Sequence, residues 1–151
     1  YFKLKTLSQN KQLTGGSTTY LNDTNLNIFE DKLKELKDQD IDTLLVVLYA
    51  DWCQFCHNFL HSDSYKNLIE TYSKNDEVEI VALNCDVKLE NKDEQLEHNK
   101  NQERIFNTYL KNYEIMGFPT ILKINTDKLN INEFSGNREN IEELKTFIGS
   151  D

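Results

Sequence analysis

The run Leu44-Leu45-Val46-Val47-Leu48-Tyr49-Ala50 is apolar at every position. A strand points successive side chains to opposite faces, so it is apolar on both only where both are covered. The run therefore predicts a central strand with helices packed on either side. It ends directly before Asp51-Trp52-Cys53, and a second cysteine follows at Cys56. Seven residues fall far short of the ~20 that cross a bilayer, and no longer apolar run occurs, so no membrane span is expected and the chain reads as soluble. It begins at Tyr1 rather than Met, which reads as a processed product or fragment from which any targeting or retention signal could have been removed.

Other periodicities fill in the elements around this strand. Apolar residues at 26, 28, 29, 33 and 36 predict an amphipathic helix, with Asp23 or Thr24 available as its cap. Phe55, Phe59, Leu60, Leu68, Ile69 and Tyr72 give a helical spacing over residues 54 to 74, bent around Ser62-Asp63-Ser64. Val78 to Leu83 reads as a second buried strand. Lys88 to Gln102 is almost wholly polar and reads as a solvated helix extension or loop before the stripe Ile105, Phe106, Tyr109, Leu110. Thr120 to Ile124 and Ile131 to Phe134 read as a hairpin turning at Asn125-Thr126-Asp127-Lys128, and a last helix follows Gly136. Alternating helices and strands that end in a hairpin imply an α/β domain with a mixed sheet between helices. Residues 1 to 17, with Gly15-Gly16-Ser17, read as an appended arm.

The 151 residues fit one domain with one core. A formal net charge of -9 argues against nucleic acid or an anionic membrane as partner, since both need a basic counter-face.

Two cysteines at i and i+3 at the start of a helix lie on one face, within reach of a disulfide, and the first sits where unpaired backbone N–H groups point. Such a position favours the thiolate, so Cys53 is the expected nucleophile and Cys56, one turn inside, the resolving thiol. The same spacing also makes half of a structural zinc site. The second half is missing: Cys85 is the one further cysteine, and His57, His61 and His98 form no recognisable second pair, so neither metal nor cofactor is expected. His57, when charged, is a candidate modulator of the thiolate, against a plain reading as an exposed helix residue. His61 is a weaker candidate. Cys85 reads as a small buried hydrophobe. Trp52 and Phe55 are expected to form an apolar rim for substrate, whereas Tyr49 belongs to the core strand.

Ala50-Asp51-Trp52-Cys53-Gln54-Phe55-Cys56, Met116-Gly117-Phe118-Pro119-Thr120 before a strand, and Phe134-Ser135-Gly136-Asn137-Arg138 before the closing helix together resemble the thioredoxin superfamily. The likeness runs over roughly residues 18 to 149. The Gly-Phe-Pro-Thr segment and the Ser-Gly-x-Arg ending are more similar to catalytic domains of protein disulfide isomerases than to cytosolic thioredoxins. Leu48 to Cys53 is also similar to periplasmic reductase domains of the superfamily. The resemblance implies a thioredoxin fold over residues 18–151, with an N-terminal extension over 1–17 and a polar insertion at about 88–104 before the proline segment. For Pro119 it implies a cis peptide after Phe118, beside the cysteines, where the Phe118 backbone meets an extended substrate.

Two departures from the family pattern stand out. An acidic residue six positions before the first cysteine and a lysine on the next strand usually assist proton transfer at the second cysteine; here the positions hold Val47 and Ala82. The usual proline five residues after the second cysteine is His61. Deprotonation of Cys56 is therefore expected to depend on water or a nearby imidazole, with slow release of mixed disulfides. The expected function is a thiol-disulfide oxidoreductase or isomerase acting on protein thiols or disulfides and served by a redox-recycling partner. The compartment implied is the secretory pathway or endoplasmic reticulum lumen, with the cytoplasm as the alternative. Competing readings are a general protein-disulfide reductant and a thioredoxin-fold chaperone or complex subunit with weak redox activity. Gln54-Phe55 between the cysteines matches neither the Gly-Pro of reducing thioredoxins nor the Gly-His of isomerases, so the redox direction stays open.

Overall fold

The apolar run forms the centre of the sheet. In a computed structural model of the chain, which describes residues 19–21, 25–73, 77–110, 113–128 and 130–150, it is strand β2, Thr43–Tyr49, buried from Leu44 onward. The expected arm over residues 1–17 and the candidate caps Asp23 and Thr24 lie outside the described residues. The described order is β1 (Thr19–Leu21), α1 (Asn25–Asp38), β2, α2 (Gln54–Leu60), α3 (Asp63–Tyr72), β3 (Val78–Asn84), α4 (Lys92–Tyr109), β4 (Thr120–Asn125), β5 (Ile131–Glu133) and α5 (Ile141–Gly149). The strands lie side by side as β1-β3-β2-β4-β5; β1 and β2 run parallel to β3, and β4 runs antiparallel to β2 and β5. This is the mixed sheet between helices that the element order implies.

Period-2 alternation divides the sheet between two cores. Leu45, Val47 and Tyr49 of β2 join Ile80 and Ala82 of β3 on the face covered by α2, α3 and α5. Leu44, Val46 and Leu48 join Val81 and Leu83 on the face covered by α1 and α4. Each fully buried Leu or Val contributes about 1.5–3 kcal/mol of transfer free energy, which is why a strand without a polar face is stable only at this central position.

Three local features differ from the sequence reading. Strand β1 is not among the expected elements, because three residues at a sheet edge carry too short a pattern to register. The bent helix over 54–74 is two helices. The backbone N–H of His61 closes on the His57 carbonyl at 3.0 Å, and the Ser62 hydroxyl accepts the Tyr65 N–H at 3.1 Å, capping α3 as α2 ends.

The third concerns the polar stretch, which forms most of one 18-residue helix, α4. Its inner face is itself polar. Gln95 accepts the Leu89 N–H at 2.6 Å and donates to the Val87 carbonyl at 3.0 Å, Gln102 donates to the Cys85 carbonyl at 3.1 Å, and His98 is buried between them in sequence. Ile105, next on this face, enters the α1-side core. Arg104 pairs with Glu30 of α1 at 3.1 Å.

The hairpin β4–β5 turns where expected: the Asn125 side chain accepts the N–H groups of Asp127 and Lys128 at 3.0 and 2.7 Å. Lys123 of β4 is buried and reaches the C-terminus of α5, where its ammonium donates to the Phe147 carbonyl at 2.8 Å, to the Ser150 hydroxyl at 2.9 Å and to the Ser150 carbonyl. Among the described residues no helix is long and apolar enough to cross a membrane.

Candidate active site

Strand β2 delivers the chain to the edge of the core, where Ala50-Asp51-Trp52 turns it into α2. The Cys53 N–H donates to the Ala50 carbonyl at 3.1 Å, and Cys53 then caps α2, its sulfur accepting the Cys56 N–H at 3.1 Å. Cys53 and Cys56 are joined in a disulfide with their Cα atoms 5.2 Å apart. Cys53 is 4% exposed and Cys56 fully buried, so the first sulfur is the one nearer solvent. Beneath the pair the core is apolar. Val47 and Ala82, both fully buried, lie directly opposite each other in the β2–β3 register and belong to the same cluster as the two cysteines.

The residues expected at a rim, Trp52 and Phe55, adjoin the cysteines in the chain. Trp52 and Phe55 are 67% and 69% exposed. Phe118 is half-buried and meets the Trp52 indole edge-on at a centroid distance of 5.9 Å. The Phe118–Pro119 peptide bond is cis. Thr120 closes the Gly117–Thr120 bend by donating to the Gly117 carbonyl at 2.5 Å. Tyr49 is buried in the core strand.

A polar frame that the sequence did not reveal holds Trp52. Its indole N–H donates to Asp86 at 2.7 Å, and Lys88 pairs with the same carboxylate at 3.0 Å. Lys88, and secondarily the indole N–H, keep the Asp86 carboxyl below the usual carboxylate range. Asn84 accepts the Asp86 N–H and donates to the Asp51 carboxylate, each at 3.0 Å. The pairs Trp52–Asp86 and Asp51–Asn84 lie more than thirty positions apart in the chain, so no local pattern announces them.

His57 is placed differently from a thiolate partner. Its Nε2 lies 2.6 Å from the Asp51 carbonyl, and its ring stacks near-parallel on that of His61 at 6.4 Å. Its described bond is thus to the turn before Cys53 rather than to sulfur. Cys85, directly after β3, is partly exposed as a residue; desolvation pushes its thiol up to about 12, with the Tyr49 backbone contact acting weakly in the opposite sense.

The arrangement supports reversible thiol-disulfide exchange: two sulfurs that can pair and separate, one nearer solvent, within an exposed apolar rim. The sequence matches a family described as thioredoxin-like over residues 40–129. The chain belongs to that thioredoxin-like family. A comparison with curated proteins gave no match. Among solved structures, the J-Trx1 fragment of ERdj5 superposes with a TM-score of 0.55 at 14% identity, covering 87% of this chain and 49% of that one. The first thioredoxin domain of mouse protein disulfide-isomerase A4 gives 0.53 at 19% identity, covering 96% and 82%. Poplar thioredoxin h gives 0.55 at 20%, covering 88% and 94%. The chain thus spans about half the length of the ERdj5 fragment, and these likenesses are of fold. A thioredoxin-like domain with Cys53 and Cys56 joined in a disulfide has the chemistry of a thiol-disulfide oxidoreductase.

Proposed function

We propose that the protein exchanges disulfides with protein substrates in an endoplasmic-reticulum-like or secretory compartment, as an oxidoreductase or isomerase. The observation that carries this reading is the Cys53–Cys56 disulfide at the start of α2, ringed by exposed Trp52 and Phe55 and by Phe118-Pro119. In the reducing direction the Cys53 thiolate attacks one sulfur of a substrate disulfide. A Cys53–substrate bond forms, the substrate S–S bond breaks, and the displaced sulfur leaves as thiolate. Cys56 then loses its proton and attacks Cys53; the intramolecular disulfide closes and the substrate leaves with the second thiol, two electrons having passed to it. The oxidising direction is the reverse. The greater exposure of Cys53 supports its role as nucleophile, and the sulfur's hydrogen bond from the Cys56 N–H favours its thiolate. In this reading Trp52, Phe55 and the Phe118 backbone at Pro119 hold an extended apolar segment of substrate; the exposure of both rings and the contact of Phe118 with Trp52 support it.

Reduction of insulin and reactivation of a scrambled disulfide substrate test this reading, with wild type and Cys53→Ser side by side. Activity lost in the variant supports the enzyme; negligible wild-type turnover with unchanged partner binding supports the chaperone or subunit. A potential for the pair near about -270 mV in a glutathione buffer marks a general reductant, and one near about -180 mV an isomerase or oxidant.

A further inference from the structure

The second arginine of the chain stands beside this site. Arg104 is taken up by Glu30, whereas Arg138, half-buried in the loop between β5 and α5, makes no hydrogen bond or ion pair among the described residues. It lines a cavity of about 470 Å³ whose opposite wall is α2: Phe59 is buried there, and Phe55, two residues after Cys53, stands exposed. A volume of this size suits a peptide side chain with its backbone or a small tripeptide.

The loop that carries Arg138 is held in place. The Asn137 side chain accepts the Glu139 N–H at 2.9 Å, its carbonyl accepts the Asn140 N–H at 3.0 Å, and Ser64 of α3 donates to the Glu139 carbonyl at 2.7 Å. Gly136 leaves no room for a side chain: a Cβ there would lie 2.6 Å from the Glu143 carboxylate and 2.9 Å from the Phe134 ring. A guanidinium presented by a fixed loop, facing a cavity lined from α2 by Phe55 and Phe59 together with Asn58 and Ser62, is a ready receptor for a planar anion.

We propose that Arg138 recognises a carboxylate carried by the substrate, so that the enzyme prefers thiols or disulfides with an acidic group close in sequence to the reacting cysteine. The proposal rests on the oxidoreductase reading and names its substrate class. Glu139, exposed and also lining the cavity, is a like charge that limits the preference.

The test compares two peptide disulfides that differ only in Glu or Gln three residues from the reacting cysteine. Wild type is expected to turn over the acidic peptide about three- to tenfold faster in kcat/KM, a margin that shrinks as salt rises. Arg138→Gln should bring the ratio of the acidic to the neutral peptide to about one; Glu139→Gln should widen the margin. A second arm sets oxidised glutathione against its carboxyl ester. A preference for the free acid that Arg138→Gln removes also supports the proposal and assigns the carboxylate to that tripeptide. Equal rates for both pairs of substrates, or a preference that survives Arg138→Gln, overturn the proposal and leave the oxidoreductase reading standing. No exchange with any of these substrates overturns both.

Discussion

Asp86 shows how a single titrating side chain can report on the site. Its carboxyl is held below the ordinary value by Lys88 and by the Trp52 indole, so the ionised form is the one that folding favours. The link is therefore complete above the unfolded value near about 3.9 and is lost only as pH falls through the lower folded value. Acid titration should shift the fluorescence of Trp52, the one tryptophan in the chain, below about pH 4, and Asp86→Asn should abolish that component while leaving the neutral-pH spectrum close to wild type. An unchanged acid titration in the variant would detach the indole from this carboxylate. Cys85 gives a second readout. With its thiol pushed up to about 12, it should stay unalkylated in the reduced native protein at pH 8, while Cys53 reacts with iodoacetamide. Mass spectrometry of the labelled peptides decides; rapid labelling of Cys85 would contradict its desolvated setting.

At the scale of whole elements, legibility followed the pattern of burial. The apolar run of β2, the second strand β3 and the closing helix α5 declared themselves because their buried faces are apolar and repeat with a strand or helix period. In helix α4 the stripe from Ile105 and a helix extension before it were legible, but the extension read as solvated, because Gln95 and Gln102 face inward and satisfy the backbone after β3 through their side-chain amides, with His98 buried between them in sequence. A polar inner face looks like a solvated one in sequence. Gln95→Ala should therefore behave as a core substitution. It strands the Leu89 N–H and the Val87 carbonyl and should cost about 1–3 kcal/mol in denaturant unfolding, where an exposed helix position would tolerate alanine without loss. Lys123 makes the same point at the other end of the sheet. Lys123→Met keeps the packing of the stem but removes the donors that close α5, and should lower stability by about 1.5–3 kcal/mol, with faster amide exchange concentrated in the last turn of that helix.

For the molecule as a whole, the residues proposed to carry the chemistry stand in motifs legible in the sequence, and the contacts that support them do not. Cys53, Cys56, Trp52, Phe55 and Pro119 lie in short motifs, whereas Asp86, Asn84 and the cavity at Arg138 depend on contacts that only the folded sheet brings about. The register does sharpen one expectation. Val47 and Ala82 are direct neighbours across β2 and β3 beneath the disulfide, so a charged pair introduced at these positions would meet. Val47→Glu alone buries an unpaired carboxyl and should cost about 3–5 kcal/mol; adding Ala82→Lys should recover much of that loss and speed the release of mixed disulfides in stopped flow, whereas release no faster than wild type would mean that Cys56 does not wait for a base. Phe118 has a wider consequence. Among the described residues it alone packs against both cores while also touching Trp52 at the rim. Sequence drift within either layer can be absorbed locally, but a change of ring at this junction is felt by both layers and by Trp52 together. A lineage altering its clientele has freer choices at Phe55, which lies outside both buried clusters, and specificity is expected to diverge there first.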